Sequence, residues 1–360
     1  MALGRFFDLT DEDRKAEGSY TAGMRILAVI TALAFLAPAW TDQPSGVTAR
    51  LRGVSAVSDR VAWASGSGGT VLRTSDGGGT WQALTIPGAG QLDFRDIDAV
   101  SEQIAYALSI GSGASSRIYK TIDAGRTWTA QFTNTDPKAF FDAMTFSDAE
   151  HGIVFSDSVE GQLVILRTDN GGRAWRRVPA DGLPPALDNE GAFAASGTNI
   201  AVFGRDHAWI GTGAAAVARV LRTTDGGRHW AAAATPLAAG PSSGIFSIAF
   251  RDAEHGIVVG GDYRKEHESV DNAATTSDGG RTWTAVKGLS GFRSAVAYLP
   301  GAATPTLIAV GPQGADQSLD DGRTWKPLAG ASGLHTFTIA KRGRVGWGAG
   351  ENGRIMRLAY

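Results

Sequence analysis

The 360-residue chain contains no cysteine. That excludes disulfides, a lipid-modified N-terminal cysteine, c-type haem attachment and thiolate metal sites. It also has almost no net charge: 34 Lys and Arg stand against 36 Asp and Glu, and the pI is near 6.3. No global field would draw nucleic acid or an anionic membrane, so neither is expected as a partner. Histidine is scarce and poorly spaced. The six (151, 207, 229, 255, 267 and 335) form neither H-x-x-x-H nor H-E-x-x-H, and no Ser-His-Asp or nucleophile-elbow pattern is present. No metal and no cofactor is expected. Gly211-Thr-Gly213-Ala-Ala-Ala216 looks like part of a dinucleotide fingerprint but lies between β-like runs with no following helix, and is read as a hairpin.

Long apolar runs are also missing, with one exception. Met24-Arg25 precedes Ile26–Leu36 and then Ala37-Pro38-Ala39. This order of basic, apolar and small residues reads as a signal peptide cleaved after Ala39. The run is too short for a comfortable membrane span. The 23 residues before Met24 include Asp8, Asp11, Glu12 and Asp13, which suits no signal n-region, so translation is expected to start at Met24. Residues 1–39 are therefore read as upstream extension plus leader, and 40–360 as the mature, exported protein, periplasmic or secreted, with no stable membrane span.

Glycine and tryptophan, by contrast, are plentiful: 48 and 10 residues. Six of the tryptophans close copies of one motif, S/T-x-D-x-G-x-T-W. The copies begin at Thr74, Thr121, Thr168, Thr223, Thr276 and Ser318, and their third positions are Asp76, Asp123, Asn170, Asp225, Asp278 and Asp320. The steps between them are 47, 47, 55, 53 and 42 residues. A period of roughly 40–50 residues with strand-like flanks marks a β-propeller, one blade per repeat. Within the motif the Asp serves nearby amides, glycine takes positive φ, and the Trp wedges between neighbouring sheets. Six copies cannot all be a catalytic centre, so the motif is read as a structural turn.

Length alone would suggest two domains, but the repeat overrides it. Each unit reads as four strands; the first has Leu51–Val57, Val61–Gly66, Thr70–Thr74 and Trp81–Thr85. After the sixth box come only three strands, Leu334–Ala340, Val345–Gly350 and Arg354–Leu358. The missing fourth is expected from Ala39-Trp40-Thr41, with Trp40 acting as a seventh box Trp. The expected fold is all-β, a seven-bladed β-propeller with six Asp-box hairpins, closed by pairing of the two termini.

Candidate binding residues follow from the blade grammar. Loops from strand 4 to 1 and from strand 2 to 3 share the face opposite the boxes. Arg52, Arg95 and Arg293 are expected at one repeat position of blades 1, 2 and 6, with Asp142 and Phe246 there in blades 3 and 5. Asp157, Glu190, Asp262 and Tyr263 come from the loops around them. Clustered arginines bind carboxylates in bidentate fashion, which suggests a protein partner, an acidic peptide or an acidic sugar at the axial face. The plainer alternative is that these arginines pair with Asp96, Asp142 or Glu190 and fill the channel mouth. A monomer is expected.

The motif is the Asp-box, or BNR repeat. Asp148-Ala-Glu-His151-Gly-Ile and Asp252-Ala-Glu-His255-Gly-Ile, together with the boxes, make the chain resemble the photosystem II stability/assembly factor family from about Trp40 to Leu358. That resemblance implies a non-catalytic propeller that holds a membrane-protein assembly intermediate through an arginine-rich patch. The oxidoreductase label that similar chains carry finds no redox motif here. A more distant resemblance links the chain to sialidase and xyloglucanase propellers and makes a glycoside hydrolase the runner-up. A sialidase-like site would take Arg52, Arg95 and Arg293 as its triad, with Tyr263 and Glu190. The Phe/Tyr-Arg-Ile-Pro opening of such enzymes is absent, however; Leu51-Arg52-Gly53-Val54 stands there. A glycosidase pair would be drawn from Asp142, Asp157, Glu190 and Asp262, at a separation fixed by mechanism.

Overall fold

The computed structural model describes residues 38–360; the Met24 start and the apolar leader run lie outside them. Seven four-stranded antiparallel sheets follow one another along the chain, and no α-helix occurs among the described residues. In blade 1 the strands are Leu51–Ala56, Ala62–Gly66, Val71–Thr74 and Gln82–Leu84. Blade 7 has Leu334–Ile339, Val345–Gly350 and Ile355–Ala359, and its fourth strand is Ala39–Gln43. That strand pairs Trp40 with Leu358 and Gln43 with Ile355. The ring is therefore closed by pairing of the N-terminal and C-terminal strands, and Ile355–Ala359 is not left as a bare outer edge.

The core is divided among the seven blade-to-blade interfaces. The box Trp of each blade faces the preceding blade: Trp128 meets Trp63 edge-on at 6.1 Å, and Trp283 meets Phe250 at 6.1 Å beside Trp209. Trp40 does the same for blade 7, 5.4 Å from Phe337 and packed with Ala297 and Leu328 of blade 6. It is a seventh box Trp without a box.

The boxes share one hydrogen-bond pattern. In the first, Thr74 Oγ1 donates to Asp76 Oδ1 (2.8 Å) and accepts the Gly78 amide (2.9 Å). Asp76 accepts the Thr80 amide on Oδ1 (2.9 Å) and the Thr80 hydroxyl on Oδ2 (2.7 Å). The drifted copies keep the acceptors. Asn170 Oδ1 takes the Ala174 amide at 2.9 Å, and His229 Nδ1 replaces the threonine hydroxyl on Asp225 Oδ2 at 2.7 Å. An amide oxygen serves where a carboxylate served, because the partners are backbone donors. The two Asp-Ala-Glu-His turns are likewise local. Asp148 and Asp252 each accept the amide and ring nitrogen of the histidine three residues on.

Candidate functional site: a pocket on the axial face

The first strand of most blades carries a bulge at the end opposite the boxes. Register shifts fall at Arg52, Arg95, Asp142, Phe246 and His335, in blades 1, 2, 3, 5 and 7. A bulge turns one extra residue out of the ladder, so these side chains collect around the axis. Four of them, Arg52, Arg95, Phe246 and His335, line a single pocket of about 320 Å³, with Tyr263 and Phe292 on its rim.

One expected member is displaced. In blade 6, Ala295 pairs with Val310, and the Ser294 amide bonds the Val310 carbonyl. That alignment puts Ser294, not Arg293, at the bulge position, and Ser294 lines the pocket. Arg293 sits one residue earlier and turns inward, with its side chain 1% exposed. It donates to Asp316 from Nε (2.8 Å), to the Phe292 carbonyl and to Ser290 Oγ. It is an internal tie within blade 6, and the three-arginine cluster expected from sequence reduces to two.

Glu190 is also an internal tie. Its carboxylate is fully buried and holds the Arg219 guanidinium, the Thr212 hydroxyl (2.8 Å) and the Leu187 amide (2.9 Å). Asp262 caps a turn on the rim, accepting the Arg264 amide at 2.9 Å. Asp142 and Asp157, on paired strands of blade 3, are brought together carboxyl against carboxyl. That contact is shorter than the roughly 5 Å of a retaining glycosidase pair or the still wider inverting pair. Of the expected residues, Arg52, Arg95, Phe246 and Tyr263 share the pocket; Asp142, Asp157, Glu190, Asp262 and Arg293 do not line it.

What closes the pocket below was not anticipated. The segment Gly191–Thr198, ahead of the first strand of blade 4 (Ile200–Phe203), runs across the ring. Asp157 of blade 3 accepts the Ala192 amide (3.2 Å), Arg95 of blade 2 donates to the Ala194 carbonyl (3.0 Å), and Thr336 of blade 7 donates to the Ser196 carbonyl (2.9 Å). Thr198 donates to Ser247 of blade 5 at 2.8 Å. Gly197 has φ +70° and lies against the Asp96 carboxylate, where a Cβ would collide. The 55-residue step between the third and fourth boxes was the available signal, since it is the longest in the chain. Phe193 of this plug stacks on Phe246 at 4.1 Å, and Phe292 meets Phe246 edge-on at 4.6 Å.

The pocket thus has an aromatic wall and a cationic wall. Arg95 is held by Asp93 at 2.9 Å. Arg52 is poorly satisfied among the described residues: it approaches the Glu351 carboxylate only to 3.8 Å, and its buried Nε meets no acceptor. Burial, and then the neighbouring Arg95 and Arg50, push its pKa down to about 10. His335 donates from Nε2 to Glu351 (2.6 Å). Burial and the nearby Arg52 push it down to about 4, so it is neutral at pH 7. A buried cation with a spare donor, beside a second arginine and stacked rings, is chemistry for an anion carried on an apolar group. On the box face, the clefts around His151 and His255 include Arg205, Arg167 and Arg251, which are committed to Asp148, Asp169 and Asp321.

No family model and no curated protein matches the chain. Solved structures do. YCF48 bound to a D1 peptide matches at 15% identity and TM-score 0.60, over 91% of this chain and 99% of that one. YCF48 from Cyanidioschyzon merolae matches at 18% and 0.61, over 89% and 99%. The GH74 xyloglucanase of Xanthomonas campestris matches at 16% and 0.59, over 88% of this chain and 53% of that one. The likeness to the photosystem II assembly-factor propellers and to a xyloglucanase propeller is a likeness of fold.

Proposed function

We propose that the protein is an exported, non-catalytic binding or assembly module that captures a carboxylate-bearing protein segment in the axial pocket. The observation that carries the reading is Arg52: a largely buried guanidinium whose Nε meets no acceptor among the described residues, next to Arg95 in a pocket lined by four aromatic rings. A carboxylate satisfies the arginines and an adjoining apolar side chain meets the rings, so the ligand is amphipathic. YCF48, a propeller of the same fold, has been solved with a peptide, which supports a peptide as the ligand form here. The glycoside-hydrolase alternative needs two carboxyls across an open cleft; the candidates are spent on Arg219, on a turn cap and on each other.

The test is capture of envelope proteins by the exported protein, followed by titration of the captured partner against Arg52→Ala and Arg95→Ala. Each variant is expected to bind about tenfold more weakly or worse, since a charged hydrogen bond contributes roughly 1.5–3 kcal/mol. Unchanged affinity in both variants overturns the reading. Hydrolysis of xyloglucan or a sialoside, abolished by Asp157→Asn, would promote the alternative.

A further inference from the structure

The repeat position that faces the pocket in five blades holds something different in blade 3. Asp142 is 1% exposed, covered instead of open. Its Oδ2 meets no donor among the described residues. The group it faces is the Asp157 carboxyl. Asp157 is partly exposed but Asp142 is sealed from water, and two carboxylates in contact there cannot both be charged without cost, so the arrangement holds a proton between them. Asp157 in turn accepts the Ala192 amide, and a Cβ on Gly191 would run into its Oδ1. The plug backbone therefore rests directly on the Asp157 member of the pair. The Ser158 amide adds a bond to the Glu190 carbonyl at 2.9 Å. One residue beyond Ala192 lies Phe193, the ring stacked on Phe246, and next to it Ala194, whose carbonyl holds Arg95.

Among the described residues no cation offsets the pair. On the plug side, Glu190 is matched by Arg219, and Asp188 is exposed. On blade 2, Asp96 is occupied by the Met144 amide at 2.7 Å, and Arg95 is bound to Asp93 and the plug. On their own blade, the amide of Asp157 bonds the Phe140 carbonyl.

We propose that the Asp142–Asp157 pair is a proton-operated latch on the plug Gly191–Thr198, and thereby regulates the axial pocket. With a proton between the carboxyls the plug is seated and the aromatic wall is assembled. When the last proton leaves, two adjacent anions repel, the Asp157 end of the plug lifts, and Phe193 loses its place. The proposal rests on the reading of that pocket as the binding site. Burial, then the partner carboxylate, raises Asp142 well above the usual range. Burial raises Asp157 to about 6. Because both are raised, the stabilisation they give is full below about pH 4 and is lost as pH rises through 6 and beyond. The pocket is tight in acid and loosens in alkali.

Hydrogen exchange of residues 191–198, corrected for the intrinsic pH dependence, tests the latch without any ligand. Between pH 5.5 and 9.5 the wild type is expected to lose at least tenfold protection there. Asp142→Asn, whose amide donates to Asp157 without a titrating proton, is expected to keep its protection; Asp157→Asn serves the same purpose if the first variant does not fold. Constant protection in the wild type, or an equal fall in the folded Asn variant, overturns the latch. The pocket is read separately with 8-anilinonaphthalene sulfonate, an aromatic anion. Its affinity is expected to fall with the protection, and to fall at every pH in Arg52→Ala. Loss of protection with unchanged probe affinity refutes regulation of the pocket. Probe binding that ignores Arg52→Ala refutes the pocket reading while leaving the exchange result standing.

Discussion

Single residues in this chain divide by whether their polar atoms are satisfied within the fold. The box aspartates are fully engaged. The Thr80 amide and the hydroxyls of Thr80 and Thr74 hold Asp76 down at about pKa 2, and at Asp278 the bonds from Thr282 and Thr276 outweigh desolvation to the same end. Asp278→Ala strands turn amides and is expected to cost about 1–3 kcal/mol in urea denaturation, with Asp278→Asn milder because Asn170 already serves at that position. Depressed carboxyl pKa values stabilise the fold above about pH 4, and that contribution is lost as pH falls towards 2. An acid limb of unfolding is therefore expected in that window, moved to lower pH in a variant with Asn at several boxes. Of the three arginines that the sequence places at one repeat position, Arg293 and Arg52 should separate sharply. Arg293→Ala leaves Asp316 buried without its cation and is expected to cost about 3–5 kcal/mol. Arg52→Ala removes an under-satisfied buried charge and should change stability by less than about 1 kcal/mol, measured in the same denaturation series.

Among the elements, two segments do work that no single blade can do. The closing strand Ala39–Gln43 completes blade 7 and inserts Trp40 against Phe337. Deletion through about Val47 is expected to lower the melting temperature by several degrees and to promote association through the bared edge; an unchanged, monomeric truncation would refute that role. The plug Gly191–Thr198 is tied to blades 2, 3 and 7 through side-chain bonds to its backbone, and to blade 5 through the Thr198 hydroxyl. Gly197→Ala meets both a positive φ and the Asp96 carboxylate. It is expected to lower stability by at least about 1 kcal/mol and to weaken the pocket, read as loss of partner affinity together with an earlier thermal transition.

Over the whole molecule, seven interfaces of similar make-up are tied into a ring by pairing of the termini. Each box Trp lies against the blade before its own, and Trp40, packed with Ala297 and Leu328 of blade 6, completes the set. Export is the expectation that bears most on how the ring is made. Cleavage after Ala39 leaves the Trp40–Leu358 pair and the rest of that strand in place. Mass spectrometry of the exported protein is expected to find Trp40 as its first residue; a stable envelope species retaining residues 1–23 would refute both the start and the cleavage site.

The sequence by itself determined the architecture, because each box repeats a complete local instruction: a hydroxyl, a carboxylate, a glycine turn and a Trp within eight residues. Six copies and a Trp without a box were enough to count seven blades and to place the closing strand. The pocket was half legible. Arg52, Arg95 and Phe246 fall on a repeat position that pattern-matching can find, whereas Arg293 was misplaced by one residue because an Arg-Ser step resembles an Arg-Gly step in one dimension. Only the tertiary structure decided which charges are spent. Glu190 meets Arg219 from 29 residues away, Asp142 meets Asp157 across a strand pair, and the plug meets four blades at once. Such pairings depend on register and on the crossing of a segment over the axis, and no local pattern encodes either.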